Sequence, residues 1–350
     1  MSNRRDFLRA GGAAGLAALA GAFNANAQTR KNVRVGGRDV KIVDIHAHCV
    51  FPEVNDLPNA NMPRAAVPPL VLGPQWLAAQ DERGIDMQVL SINFYWWYAR
   101  DRELARQIVR MHDEGLAKWC NEHPDRFVAL TSVALQYPDL AAEQLEYAVK
   151  ELGLRGASIG GHVNGESPSD PKYDPFWAKA EELGVPVFMH PNNATNVARD
   201  GALDGRGGLG NIVGNPLETT VFLSRMIFDG TLDRFPRLKL VAAHGGGYLP
   251  SYLGRTEAAC TVRTDANCAN KRKPSEYLKD QIMVDSMVFS SEGLRHLVAE
   301  TGVSQVVYGS DIPYVWPDTI DLIVEAPFLS DADKEAILGG NLIELLKIDS

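Results

Sequence analysis

Eight short runs rich in β-branched residues punctuate the chain, and the intervals between them carry apolar residues three and four apart. The runs are KIVDIHAH (41–48), MQVLSINF (87–94), RFVALTSV (126–133), LRGASIGG (154–161), VPVFMHP (185–191), LKLVAAHGG (238–246), QIMVDSM (281–287) and VSQVVYGSD (303–311). The helical intervals include Glu103 to His123 and Asp139 to Leu152. Strands that alternate with helices pair in parallel, because each helix carries the chain back to the start of the next strand. Eight such units predict an α/β fold, a single-domain (β/α)8 TIM barrel with its site at the C-terminal ends of the strands. The irregular, proline-rich stretch from Phe51 to Pro74 then becomes a long loop after strand one, over the mouth of the site.

The polar residues at the strand ends can now be placed. Side chains alternate along a strand, so His46 and His48 face the same way, into the barrel mouth. His190 ends the fifth strand, His244 the sixth and Asp311 the eighth. Four imidazoles and a carboxylate therefore converge at one end of one barrel. That donor set suits zinc or a similar divalent ion, with a coordination position left open for water or substrate. A lone histidine at a strand end or on a helix is more often a hydrogen-bonded core residue, and His112, His123, His162 and His296 are read that way.

The amino end reads separately. Asn3-Arg4-Arg5-Asp6-Phe7-Leu8 is followed by a weakly apolar stretch from Ala10 to Phe23 and by Ala25-Asn26-Ala27. A charged region, a short apolar region and an A-x-A site describe an export signal over residues 1–27, and the arginine pair points to the twin-arginine route. The mature barrel, residues 28–350, is then expected in a bacterial periplasm. Four cysteines are too few for a disulfide scaffold; Cys49 and Cys120 are expected as buried thiols. Cys260 and Cys268 are candidates to pair in an oxidising compartment, a pairing the sequence leaves open. A net charge of −9 without a basic run argues against nucleic acid as a partner. No apolar run is long enough to span a membrane, so no insertion is expected after processing.

Taken in order, the H-x-H pair of strand one, the AHGGG of strand six, the GSD-x-P end of strand eight and the closing ILGGNLIELLKI (337–348) resemble the amidohydrolase superfamily. Within it the chain resembles the branch of aminocarboxymuconate semialdehyde decarboxylase, most densely over residues 215–255 and 273–289. The resemblance implies that His46, His48, His190 and Asp311 ligate one divalent metal, most often zinc, with manganese as the alternative. It implies that His244 is the acid–base group beside that metal. Strand four offers no lysine to bridge two ions, so one ion is expected. Relatives hold a substrate carboxylate with arginines, which points to Arg255, eleven residues past His244, and to Arg64 in the loop after strand one. Guanidinium groups suit that task because they grip carboxylates with two parallel hydrogen bonds. A homodimer is implied as well.

The chain departs from the branch in two places. Asn211 stands where a tryptophan is found, and the aromatic run Phe94-Tyr95-Trp96-Trp97-Tyr98 follows strand two. Trp96 and Asn211 are therefore candidate substrate residues, with a packing role as the alternative for the aromatics. The leading expectation is a metal-dependent, non-oxidative decarboxylase acting on an aromatic or conjugated small-molecule carboxylic acid. The alternatives are a hydrolase or hydratase built on the same site, and a periplasmic binding protein that uses the metal only to hold a ligand.

Overall fold

A computed structural model of the chain describes residues 30–348 apart from 61–67, 93–95 and 193, and it leaves out the side chains of Pro68 and Trp96. The export-signal reading of residues 1–27 and the assignment of Arg64 lie outside the described residues. All eight expected strands form: β1 (Val43–Cys49), β2 (Met87–Ile92), β3 (Phe127–Ala129), β4 (Ala157–Ile159), β5 (Val187–Met189), β6 (Leu240–Ala242), β7 (Ile282–Asp285) and β8 (Val306–Val307). A helix follows each one: α1 (Pro74–Arg83), α2 (Arg102–Glu122), α3 (Pro138–Lys150), α4 (Asp174–Leu183), α5 (Asn215–Phe228), α6 (Leu253–Val262), α7 (Ser291–Thr301) and α8 (Asn341–Leu346). A small hairpin, Arg34–Val35 against Arg38–Asp39, precedes the first strand and was not legible beforehand.

Local signals set the helix ends. Asp101 caps α2 by accepting from the Leu104 amide at 2.9 Å, and Ala105, Ile108, Val109, His112 and Leu116 form its buried stripe. Gly84 ends α1 with φ of +76°, a conformation that glycine adopts at no steric cost.

Strands β1–β3 and β4–β8 pair in parallel as two arcs. Two seams close the circle. At one, Thr131 bridges Ala157, with Thr131 N donating to Gly156 O at 2.9 Å and Ser158 N to Thr131 O at 2.7 Å. At the other, Ala47 bridges Ile312, with Ile45 N donating to Tyr308 O at 3.1 Å and His48 N to Ile312 O at 2.8 Å. The inside of the barrel is filled by Val43, Ile45, Met87, Val89, Leu130, Phe188, Val241, Met283 and Val307, joined by Leu342 and Leu346 of α8. The larger apolar cluster packs between the strands and the surrounding helices. Both faces of every strand are thus covered, as a parallel sheet requires.

One polar side chain fastens the second seam. Asp44 is fully buried and accepts from His46 N at 2.9 Å, Gln88 Nε2 at 3.0 Å, Ser310 N at 3.0 Å and Ser310 Oγ at 2.6 Å. It thereby joins β1 to β2 and to the segment after β8. Burial pushes its carboxyl above the ordinary value, against the pull of those hydrogen bonds. Replacing it by alanine strands buried donors on three segments, and each costs about 1–3 kcal/mol. Asp44→Ala is therefore expected to lose roughly 3 kcal/mol or more in denaturant unfolding. A loss under about 1 kcal/mol would show that Asp44 does not fasten the barrel.

Candidate metal centre

Strand β1 departs from simple alternation. Val43 and Ile45 point into the barrel, and so do His46 and His48, while Ala47 and Cys49 face the helices. The change of parity falls at a register shift between Asp44 and Ala47 in the pairing of β1 with β2. Such a bulge re-aims a side chain. Here it lets Ile45 fill the core while His46, one residue on, reaches the mouth.

His46, His48, His190 and Asp311 are buried, and their ligand atoms lie within 4.8 Å of one another. The imidazoles meet edge to face, with ring centres 4.8 Å apart for His46 and His48 and 4.4 Å for His48 and His190. Second partners fix how each ring is turned. His46 Nδ1 lies 2.8 Å from Asp285 Oδ2. His48 Nδ1 lies 3.3 Å from Ser91 Oγ, whose own hydroxyl donates to Ala47 O. His46 therefore donates from Nδ1 to the carboxylate, and both rings turn Nε2 toward the centre. There, His46 Nε2, His48 Nε2 and Asp311 Oδ1 are buried with no hydrogen-bond partner among the described residues. Each Nε2 stands 3.2 Å from that oxygen without the alignment of a hydrogen bond. Lone pairs converging on one buried point fit a divalent cation.

The electrostatics agree. Burial favours neutral imidazoles and lowers His48 to about 4 and His190 well below its ordinary value. Burial works the same way on His46, but the carboxylates of Asp311 and Asp285 together outweigh it and raise the imidazole to about 10. Burial opposes the charge on Asp311 too, and the surrounding histidines reverse that, holding its carboxyl well below the usual range.

His244 stands beside the ligands. Its ring centre is 5.2 Å from that of His46 and 5.3 Å from that of His190, and its Nε2 lies 3.9 Å from Asp311 Oδ2. Its side chain keeps 15% of its surface exposed, whereas His46 keeps none. It sits in a turn with φ of +58°, followed by Gly245 at +63°, a left-handed pair directly after β6.

The other candidates separate from this cluster. Arg255, in the first turn of α6, and Asn211, in a turn of π-helix at Gly210–Gly214, are exposed on the single chain. Arg255 forms no ion pair among the described residues. Trp97 is fully buried and donates from Nε1 to Val133 O at 2.8 Å, and Tyr98 is buried next to it, so the packing alternative holds for these two aromatics. Trp96 opens the same short helical turn, and its side chain lies outside the description. Of the histidines read as core, His112 is buried among Phe51 and Trp97, and His162 is bonded to Gly165 N and Thr195 Oγ1. His123 packs beside Trp119 and Phe127. His296 does not fit that reading. It lies on the outer face of α7 with 43% of its side chain exposed, because the stripe of Leu294 and Leu297 takes the inner face.

Three participants were missed in the sequence. Asp285 holds His46, and Tyr314 places its ring centre 6.0 Å from that of His48. Glu218, buried in α5, accepts from Gly161 N, Asn192 N and Ala194 N at 3.0, 2.8 and 2.6 Å and so pins the loops after β4 and β5. A carboxylate closing the apolar run IMV (282–284) was a signal for Asp285. A single glutamate at the start of a helix gave no comparable sign of Glu218.

A family model described as amidohydrolase matches residues 43–348. The chain belongs to the amidohydrolase family. It is 35% identical over 272 residues to the 2-amino-3-carboxymuconate-6-semialdehyde decarboxylase of Dictyostelium discoideum, covering 76% of this chain and 74% of that one. It is 31% identical over 284 residues to the gamma-resorcylate decarboxylase of Rhizobium sp. (strain MTP-10005), covering 78% and 86%. Among solved structures, 5-carboxyvanillate decarboxylase from Sphingomonas paucimobilis superposes with a TM-score of 0.80 at 27% identity, covering 89% of this chain and all of that one. A dihydroxybenzoic acid decarboxylase from Polaromonas sp. JS666, with bound manganese and the inhibitor 2-nitroresorcinol, gives 0.76 at 26% identity, covering 89% and 98%. This amidohydrolase is thus of the decarboxylase branch, on the barrel the strand pattern predicted.

If the four buried groups hold the metal, removing one ligand should do more than removing an outer partner, which typically costs 10–100-fold in affinity. Asp311→Ala is expected to weaken binding by more than about 100-fold in a chelator competition. Wild-type affinity in that variant would contradict the assignment.

Proposed function

We propose that this protein is a metal-dependent, non-oxidative decarboxylase that removes carbon dioxide from an aromatic carboxylic acid. The observation that carries the reading is the pairing of a buried, inward-facing ligand set with one histidine, His244, that stays partly open to solvent beside it. A binding protein needs the first and has no use for the second. Relatives named for decarboxylation of carboxylated aromatic rings support the substrate class.

When bound by His46, His48, His190 and Asp311, a divalent ion supplies Lewis acidity toward the substrate's carboxylate or a neighbouring oxygen. Three imidazoles and one carboxylate suit zinc, and the manganese of the Polaromonas relative makes manganese the alternative. The chain's residues supply the rest. His244 delivers a proton from Nε2, on the cluster side of its ring, to the ring carbon that bears the carboxylate. The bond from that carbon to the carboxylate then breaks, its electron pair returns to the ring, and carbon dioxide leaves. The partial exposure of His244 lets it regain a proton from solvent. The buried surroundings keep water from the reacting carbon and strengthen every charge interaction there.

Arg255 holds the carboxylate of a substrate in this reading, and it does so across a homodimer. Exposed Tyr252 and Val262 on and beside α6, with 63% and 74% of their surface free in the single chain, support that face as the contact. Residues 1–27 direct export, and the Cys260–Cys268 disulfide at the end of α6 supports an oxidising destination.

Two measurements follow. Metal-loaded protein incubated with dihydroxybenzoic acids should release carbon dioxide, and His244→Ala should keep its metal yet lose about 100- to 10,000-fold in kcat. Acid release from esters or lactones with no carbon dioxide from any carboxylated ring would favour the hydrolase instead. In denatured, unreduced mature protein, Cys49 and Cys120 should react with a thiol reagent and Cys260 and Cys268 only after reduction. Reaction of all of them before reduction would remove the support for an oxidising compartment.

A further inference from the structure

Asp285, at the end of β7, is neither one of the four ligand residues nor the proposed acid His244, yet both hang on it. Its side chain is fully buried and both oxygens are used twice. Oδ2 faces His46 Nδ1 at 2.8 Å and accepts from His244 N at 2.9 Å. Oδ1 accepts from Gly245 N at 2.8 Å and Met287 N at 3.1 Å. The chain just after β8 is cut away to permit this. A Cβ on Gly309 would stand 2.9 Å from Asp285 Cβ and 3.1 Å from His46 Cβ, closer than such atoms ordinarily come.

We propose that Asp285 is the positioning residue of the site, coupling the metal ligand His46 to the turn that carries His244. Its contact with His46 holds the proton on Nδ1, which leaves the Nε2 lone pair for the metal. Its two contacts with the amides of His244 and Gly245 hold a left-handed pair that a non-glycine residue adopts only when its surroundings impose it. One carboxylate therefore sets the aim of a ligand and the position of the acid together. Asparagine cannot replace it. An amide offers one acceptor oxygen, and its NH2 would confront either His46 and His244 N or Gly245 N and Met287 N, donor against donor.

The turnover part of the test rests on the proposed decarboxylation, while the metal-affinity part does not. Metal affinity of Asp285→Asn is measured by chelator competition on the metal-free protein, with thermal unfolding alongside. Affinity is expected to fall about 10- to 100-fold. At saturating metal, kcat for an aromatic acid is expected to fall about 100-fold with KM little changed, the cost of a misplaced reacting group. A lower melting temperature with wild-type affinity and wild-type kcat per bound metal would make Asp285 a structural residue and overturn the proposal. If the wild type itself releases no carbon dioxide, the decarboxylase reading fails while the affinity comparison still decides the role of Asp285. Should Asp285→Asn not fold, Gly309→Ala keeps the carboxylate but crowds it away from His46 and is expected to weaken metal binding in the same direction; unchanged affinity there counts against the proposal. NMR of the imidazoles in the zinc-loaded wild type needs no variant. It is expected to show His46 as the Nδ1–H form, and an Nε2–H form would overturn the coupling.

Discussion

A barrel strand covered on both faces has no water to satisfy its polar atoms, so a charge placed there must be answered by the protein or by a ligand. That constraint organises this molecule. Asp44 and Asp285 are both fully buried, and each accepts hydrogen bonds that cross between strands. Asp44 ties β1 to β2 and to the chain after β8. Asp285 ties β7 to β1 and to the turn after β6. The network that closes the barrel and the network that aims the metal ligands run through the same few residues. Closure of β8 onto β1 is also what brings Asp311 up to His46 and His48.

The centre of that network is a cluster of donor atoms. Three imidazoles and a carboxylate converge, their outer atoms are engaged, and the inner ones are not. A buried cluster of this kind is costly by itself, and it is compensated when a cation sits among the lone pairs. His244 differs from the ligands in the two properties that matter. It is partly exposed, and it is held through its backbone amide by Asp285. A buried donor cluster beside one partly exposed histidine is an arrangement that suits proton transfer next to a bound cation.

Much of this was legible in the residues. Eight β-branched runs gave the barrel, because strand identity depends on short local patterns that survive without knowledge of packing. Histidines at strand ends gave the site, because the fold places strand ends together. What escaped depended on contacts between distant segments. The bulge in β1 hides the parity change between Ile45 and His46, so simple alternation puts His46 and His48 on one face but misplaces Ile45. The roles of Asp285 and Glu218 come from amides in loops more than twenty residues away. The aromatic run 94–98 leaves a substrate wall and a packing surface open in sequence, and Trp97 and Tyr98 pack inward because the short turn after β2 lies against the segments after β3 and β4. Arg255 reads as a carboxylate clamp in sequence and lies exposed in the single chain, away from the buried cluster.

One ion held by one set of side chains is the central expectation. Anomalous diffraction at the manganese edge, from crystals of the manganese-loaded protein, tests it most directly. The expected map has a single peak per chain, bonded to His46, His48, His190 and Asp311, with His244 turned toward the open side and not bonded. A second peak, or a peak ligated by His244 in place of one of the four, would contradict it.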